Sequence, residues 1–273
     1  MKIKVKKSII TFLKGLIIGG TMTVPGVSGG SMAMILGIYD KLITSFNKSL
    51  KLHKKSIIFF ITCIAGVLLG MVTISRYILK LMEAFPMVTQ FFFIGAVLGG
   101  APMIYKAAQV KKFSPTAVIY PLIGLAFVLL IGLIPDGAFM PGTGKSVGSF
   151  LIQIFGGILV ALALVLPGIS LSQMLLMLGI YETVMSAIST LNILPLIPIG
   201  IGALAGVLLF AKGMEYSMNK YPKFTYLSIF GFVLGSVKEL FPGVPSGMEI
   251  LFCIVSAALG FAAIYFISEK TAD

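Results

Sequence analysis

Apolar residues along the chain gather into blocks of about twenty separated by short polar punctuation, the length at which a helix crosses hydrocarbon. Six uninterrupted blocks predict single spans at 57–75, 90–106, 116–134, 193–211, 225–241 and 248–267. Two longer stretches, 9–46 and 149–190, are interrupted by Pro-Gly-x-Ser turns, called Pro-Gly-Ser turns below, and predict helical hairpins. In the first, residues 9–24 form one arm and 29–46 the other. An arm of about 15 residues rises only ~22 Å as a helix, short of the ~30 Å hydrocarbon core. Such arms suit a re-entrant hairpin that reaches partway in and turns back.

The pattern is written twice. PGVSGGSMAMILGIYD at 25–40 and PGISLSQMLLMLGIYE at 167–182 are identical at eight of sixteen positions, at an offset of 142. AGVLL at 65–69 recurs at 205–209, and G-x-V-L-G at 95–99 recurs at 231–235, with Pro86 and Pro222 matched at the latter offset. Each repeat holds one hairpin and three spans. Three is odd, so the second repeat starts on the opposite side of the membrane. The expected fold is an all-α polytopic membrane protein with an inverted-topology repeat, an architecture that binds its substrate near the midplane between the halves. The first repeat covers 1–135, an extracytoplasmic linker 136–148 and the second repeat 149–273, within one membrane domain.

Composition sharpens this reading. The chain of 273 residues is 58% hydrophobic and 11% charged, against about 25% charged in a soluble domain. Soluble enzymes, nucleic-acid binders and disordered linkers are excluded. The net charge of +12 is topological here, because cations collect on the cytoplasmic side. With hairpins at 9–46 and 149–190, the cytoplasmic side gathers 17 of the 21 cations, at Lys2–Lys14, Lys41–Lys55, Lys106–Lys112, Lys212–Lys223 and Lys270. Arg76, Lys80, Lys145 and Lys238 fall outside. Both termini are therefore expected in the cytoplasm.

The turns carry the candidate chemistry. In Pro25-Gly26-Val27-Ser28-Gly29-Gly30-Ser31, Pro25 cannot continue a helix, Gly26 can adopt a left-handed conformation, and Ser28 can cap the arm that follows. Pro167, Gly168 and Ser170 repeat that chemistry, with Ser172 and Gln173 just beyond. A turn at membrane depth leaves amides that hydrocarbon cannot satisfy, so it must be buried in protein or line a polar cavity. Free N–H groups at the start of each second arm suit an anion, and Gly29 and Gly30 allow close backbone approach. Each helix N-terminus acts as roughly +0.5 charge, whereas a phosphate monoester carries about −1.5 to −2. The remainder calls for a side-chain cation or a bound proton. Arg76, the only arginine, is the candidate headgroup contact, against the alternative of an interfacial snorkelling arginine.

The remaining features read as follows. Gly15-xxx-Gly19, Gly66-xxx-Gly70, Gly95-xxx-Gly99, Gly202-xxx-Gly206 and Gly231-xxx-Gly235 have helix-packing spacing. By helical rise Tyr39 and Tyr181 fall near an interface, as belt residues or as contacts on a headgroup's access route. Their neighbours Asp40 and Glu182 read as solvated loop acids, with proton coupling as the alternative. Cys63 and Cys253 match no metal or redox spacing, so no metal, cofactor or catalytic residue is expected.

The duplicated PGVSGG-x-x-A-x-x-x-G-x-Y-[DE] motif resembles the bacterial polyprenyl-phosphate transporter family over essentially the whole chain. The resemblance implies a flippase of the bacterial cytoplasmic membrane that returns undecaprenyl phosphate from the outer to the inner leaflet for cell-wall polymer synthesis. The family motif falls on Pro25, Gly26, Ser28, Gly29, Gly30, Gly37 and Tyr39, and on Pro167, Gly168, Ser170, Gly179 and Tyr181. The implied partners are the polyprenyl-phosphate lipid and membrane lipids, not nucleic acid; homo-oligomerisation stays open. An ion-coupled transporter or channel for a small soluble anion is the rival. A lipid phosphatase would need a nucleophile with a base, and the only histidine, His53, lies in the basic loop far from both turns.

Overall fold

A computed structural model of the chain describes residues 2–22, 24, 26–110, 114–137, 147–189, 192 and 194–269. Twelve helices follow in order among these residues: α1 (Lys2–Thr21), α2 (Gly29–Ile35), α3 (Tyr39–Ser49), α4 (Lys54–Ala84), α5 (Pro86–Ala107) and α6 (Thr116–Ile131), then α7 (Val147–Val165), α8 (Leu171–Met177), α9 (Tyr181–Ser189), α10 (Leu196–Lys220), α11 (Pro222–Leu240) and α12 (Glu249–Glu269). The first six and the last six match element for element. Prolines make one landmark identical in both sets. Phe85 and Tyr221 lie outside the helical region at φ −140° and −130°, and Pro86 and Pro222 open α5 and α11, as expected when the residue before a proline is pushed from helical geometry and Pro itself fits the first turn.

Four helices, α4, α5, α10 and α12, are long and apolar enough to cross a membrane. The expected spans 116–134 and 225–241 correspond to shorter or more charged helices. The described α6 has 16 residues, a rise of ~24 Å, and α11 carries Lys223, Lys238 and Glu239. α4 extends well beyond the expected 57–75 and takes Arg76 and Lys80 into its last turns. Large apolar side chains such as Ile61, Leu68, Val72, Phe252 and Leu259 stand exposed on α4 and α12, which is a surface made for lipid rather than water.

Every expected small-residue pair sits at a helix crossing. A methyl group built on Gly15 would lie 2.4 Å from the Cys63 carbonyl oxygen, and one on Gly19 1.9 Å from that of Val67. Gly66 and Gly70 return the contact onto Phe12 and Leu16. These approaches advance together along both helices, so α1 and α4 run parallel, and α2 and α3 lie on the return to the end where α1 began. α7 and α10 repeat the arrangement through Gly157, Gly202 and Gly206.

The remaining long helices pair across the halves. α5 lies parallel to α12, with Gly95 against Ala257 and Gly99 against Phe261, and α6 lies parallel to α11, with Gly231 against Pro121 and Gly235 against Val128. The equivalent helices α5 and α11 meet directly through ring pairs Phe91–Phe241 and Tyr105–Phe230, at 6.0 and 6.1 Å between centroids. The two pairings step in opposite senses along the two helices, so α5 and α11 run antiparallel. At the heart of the first half, Ile35 and Leu36 of the α2 segment are completely buried.

The second hairpin arms differ from expectation. Residues 29–46 are not one helix: α2 ends after seven residues, and Gly37 turns left-handed at φ 66°. Its N–H donates to the Met34 carbonyl at 2.9 Å, and the Ile38 N–H to that of Ala33 at 2.9 Å. This is a Schellman closure, which satisfies carbonyls left over at a helix end. Gly179, at φ 65°, ends α8 in the same way through Leu176 and Leu175.

Candidate functional site

Both Pro-Gly-Ser turns are built by the chemistry their residues dictate, and they meet. Gly26 and Gly168 hold φ of 81° and 86°, a region L side chains rarely enter. Ser28 and Ser170 stand as extended N-cap residues, accepting from the N–H groups of Ser31 at 3.0 Å and Gln173 at 3.5 Å. The two turns join through Ser28: the Gly168 N–H donates to its Oγ at 3.1 Å, while that hydroxyl donates to the Ser31 Oγ at 2.8 Å. Beside this bond, a methyl group on Gly30 would lie 3.1 Å from the Pro167 Cα. Residues 140 positions apart in sequence thus share one polar knot inside the bundle.

The structure gives the turn glycines a different role from the one expected. The space in front of Gly29 is filled by Met22, whose Sδ would lie 2.7 Å from an added methyl group, and that in front of Gly30 by Pro167. Their lack of side chains lets the turns close on the protein itself. Ser31 is buried, Gln173 half-buried and Ser172 exposed on α8. Pro25 lies outside the described residues, as do 138–146 of the expected linker.

Tyr39 is not a belt residue. The break at Gly37 swings it inward, where it is 3% exposed and its hydroxyl donates to the Val165 carbonyl at 2.5 Å, immediately before the opposite turn. The first hairpin therefore grips the second at two points. Tyr181 is half-buried. Asp40, expected as a solvated loop acid, is exposed and also accepts from the Tyr226 hydroxyl at 2.6 Å. Arg76 is exposed on α4 and lines neither pocket described below. Among the described residues no cluster of three metal-ligating side chains occurs.

Both turns press on α11. A methyl group on Gly26 would approach the Glu239 carbonyl carbon and the Leu240 nitrogen at 3.0 Å each, and one on Gly168 the Phe232 carbonyl at 2.6 Å. Next to the Gly26 contact lies an open pocket of about 110 Å³ lined by Gln173, Gly235, Lys238, Glu239 and the Val128–Gly132 end of α6. A second, of about 60 Å³, lies beyond the opposite end of α2 between Gly37, Tyr39, Asp40, Met103 and Tyr226. Lys238 reads in the sequence only as an outer cation and Glu239 not at all, because only the packing of α11 onto a distant turn brings them near the site. Of the expected residues, Gln173 alone lines the larger pocket.

A family model described as undecaprenyl phosphate translocase-like matches residues 18–249. The chain is 34% identical over 275 residues to a polyprenyl-phosphate transporter of Staphylococcus aureus, covering 97% of each chain. It is 28% identical over 246 residues to one of Vibrio cholerae, covering 85% of this chain and 77% of that relative. No solved structure matches.

Proposed function

This chain belongs to the undecaprenyl phosphate translocase-like family, and from that premise we propose that it carries a polyprenyl phosphate from the outer to the inner leaflet of the bacterial cytoplasmic membrane, the headgroup passing between the two Pro-Gly-Ser turns. The family is one of transporters, not of enzymes. The observation that carries the proposal is the bond from the Gly168 N–H to the Ser28 hydroxyl, which supports reading the paired turns as a closed gate inside the bundle. The antiparallel course of α5 and α11 supports reading the halves as inverted repeats, and the order of helices supports it further. The two termini then lie in the cytoplasm, as the positive-inside rule requires.

In this mechanism the isoprenoid tail stays in lipid along the exposed apolar faces, and only the headgroup enters protein. The outward pocket beside Gly26 offers Lys238 as cation and the Gln173 amide as donor. Glu239, when it carries a proton, adds a third donor instead of a repelling charge. Parting of the turns then exposes the amides of the first turns of α2 and α8, and reclosure behind the headgroup completes the passage. Alternation between the two sides follows the logic of inverted-repeat transporters.

The test is translocation of a fluorescent polyprenyl phosphate in proteoliposomes by wild type and Gly30→Val. The added side chain projects onto Pro167, so the variant is expected to fold, insert and lose most of its translocation. Undiminished transport would count against passage between the turns. Full inhibition by inorganic phosphate, with indifference to tail length, would favour the soluble-anion reading instead.

A further inference from the structure

Lys14 occupies a place that its count among the cytoplasmic cations does not explain. It lies on α1, is 9% exposed, and its ammonium donates to the Leu36 carbonyl at 2.6 Å. That carbonyl belongs to the break between α2 and α3. An ammonium has three donors and no acceptor capacity, and one of the three is used here. Ionisable groups inside membrane segments are costly and concentrate where a charged species passes.

Its surroundings sharpen the cost. Lys41 is a like-charge neighbour of Lys14, and Lys7 of Lys41. Among the described residues none of the three makes an ion pair with a carboxylate. The nearby acid Asp40 is held by the Tyr226 hydroxyl, and Glu215 by the Asn47 amide at 2.6 Å. The Lys41 ammonium instead lies 4.2 Å from the centre of the Phe59 ring. Lys7 and Lys14 are seven residues apart, so they share one face of α1 and stand about 10 Å apart along it. Thr21, at the turn, is the next residue on that stripe. A file of positive charge thus leads from the basic end of the molecule to the Pro-Gly-Ser knot.

The second half has no such file. At the repeat offset Lys7, Lys14 and Lys41 correspond to Ser149, Gly156 and Thr183. A methyl group on Gly156 would meet nothing within 4 Å. The two halves share their turns, caps and glycine crossings, yet the lysine file belongs to the first alone.

We infer that Lys14, Lys41 and Lys7 form an anion site for a phosphate monoester that has passed the turns, with the Leu36 carbonyl holding the Lys14 ammonium until the phosphate arrives. The inference rests on the transport reading above and adds to it a receiving site on one side only. A phosphate dianion there neutralises charges that no carboxylate among the described residues pairs, and the one-sidedness gives the headgroup a downhill step toward the basic face.

Native mass spectrometry of the full-length protein in detergent tests this, with polyprenyl phosphate, polyprenyl alcohol and inorganic phosphate as probes. Wild type is compared with Lys14→Met, which keeps the stem and removes the charge, and with Lys41→Gln, at a more exposed position. Each variant is expected to weaken binding of the phosphorylated lipid about tenfold and to leave the alcohol unchanged. If both lipids weaken in parallel, or neither does, the lysines serve packing alone and the site is overturned. If Lys14→Met fails to fold, Lys41→Gln decides by the same criterion. Equal binding of phosphate and alcohol by wild type overturns the transport reading itself. Displacement by inorganic phosphate alone, lost in the variants, keeps the site and overturns the lipid.

Discussion

The Ser28 hydroxyl is the point at which the two turns are bonded to each other, and its removal has a magnitude that can be worked out. It serves two backbone donors, the Ser31 N–H at 3.0 Å and the Gly168 N–H at 3.1 Å, and it is 5% exposed. Ser28→Ala removes a helix cap worth ~1 kcal/mol. It also leaves the Gly168 amide buried without an acceptor, at about 1–3 kcal/mol. The loss should therefore be about 2–4 kcal/mol. Ser170 is its counterpart in sequence but not in energy: it accepts only from Gln173, at 3.5 Å. Ser170→Ala should cost ~0.5–1 kcal/mol. Unfolding of both variants in the same mixed micelle, followed by circular dichroism against added denaturing detergent, measures the difference. Equal losses, or a larger loss for Ser170→Ala, would show that the inter-turn bond does not hold the halves together.

Three further outcomes are expected. Gly168→Ala forces a side chain into a left-handed dihedral and against the Phe232 backbone, so it should lose about 2–5 kcal/mol. Gly247→Ala, at φ 55° with nothing within 4 Å, isolates the dihedral part at ~1 kcal/mol; matching unfolding midpoints would remove the clash from the account. Tyr39→Phe should cost ~1 kcal/mol through the lost bond to the Val165 carbonyl, while Tyr181→Phe leaves the midpoint nearly unchanged. Arg76→Gln, at an exposed position, should retain the preference for polyprenyl phosphate over the alcohol; loss of that preference in native mass spectrometry would return Arg76 to the site.

What was legible in the sequence was local or periodic. Pro-Gly-Ser dictates a left-handed glycine followed by a serine cap, and both copies fold so. Small residues four apart can meet another helix only at close range, and all five pairs do. The duplication itself ordered two hairpins and six spans, and the breaks at Gly37 and Gly179 bring the described helices to twelve. The break at Gly37 was also written, since L-G-I-Y recurs at 178–181, but a single glycine inside an apolar run reads equally as tolerated helix. Read as helix, it carries Tyr39 to the interface, whereas the turn sends it inward. Lys14 was invisible for another reason. A charge count treats every cation near the terminus as solvated, whereas the Leu36 carbonyl that receives it is created by that same break. Lys238 and Glu239 join the turns only through tertiary packing of α11, which has no signature in either segment alone.

The crossed pairing of α5 with α12 and α6 with α11 decides which pieces of this protein are free to slide. Each of those crossings locks a helix of one half to a helix of the other, with glycines bringing backbones into direct contact. These crossings oppose rocking of the halves against each other as rigid blocks. What remains mechanically separable is each hairpin with its parallel escort, α1 to α4 on one flank and α7 to α10 on the other. In the transport mechanism proposed above, the four interlocked helices are the stationary frame past which those two units travel.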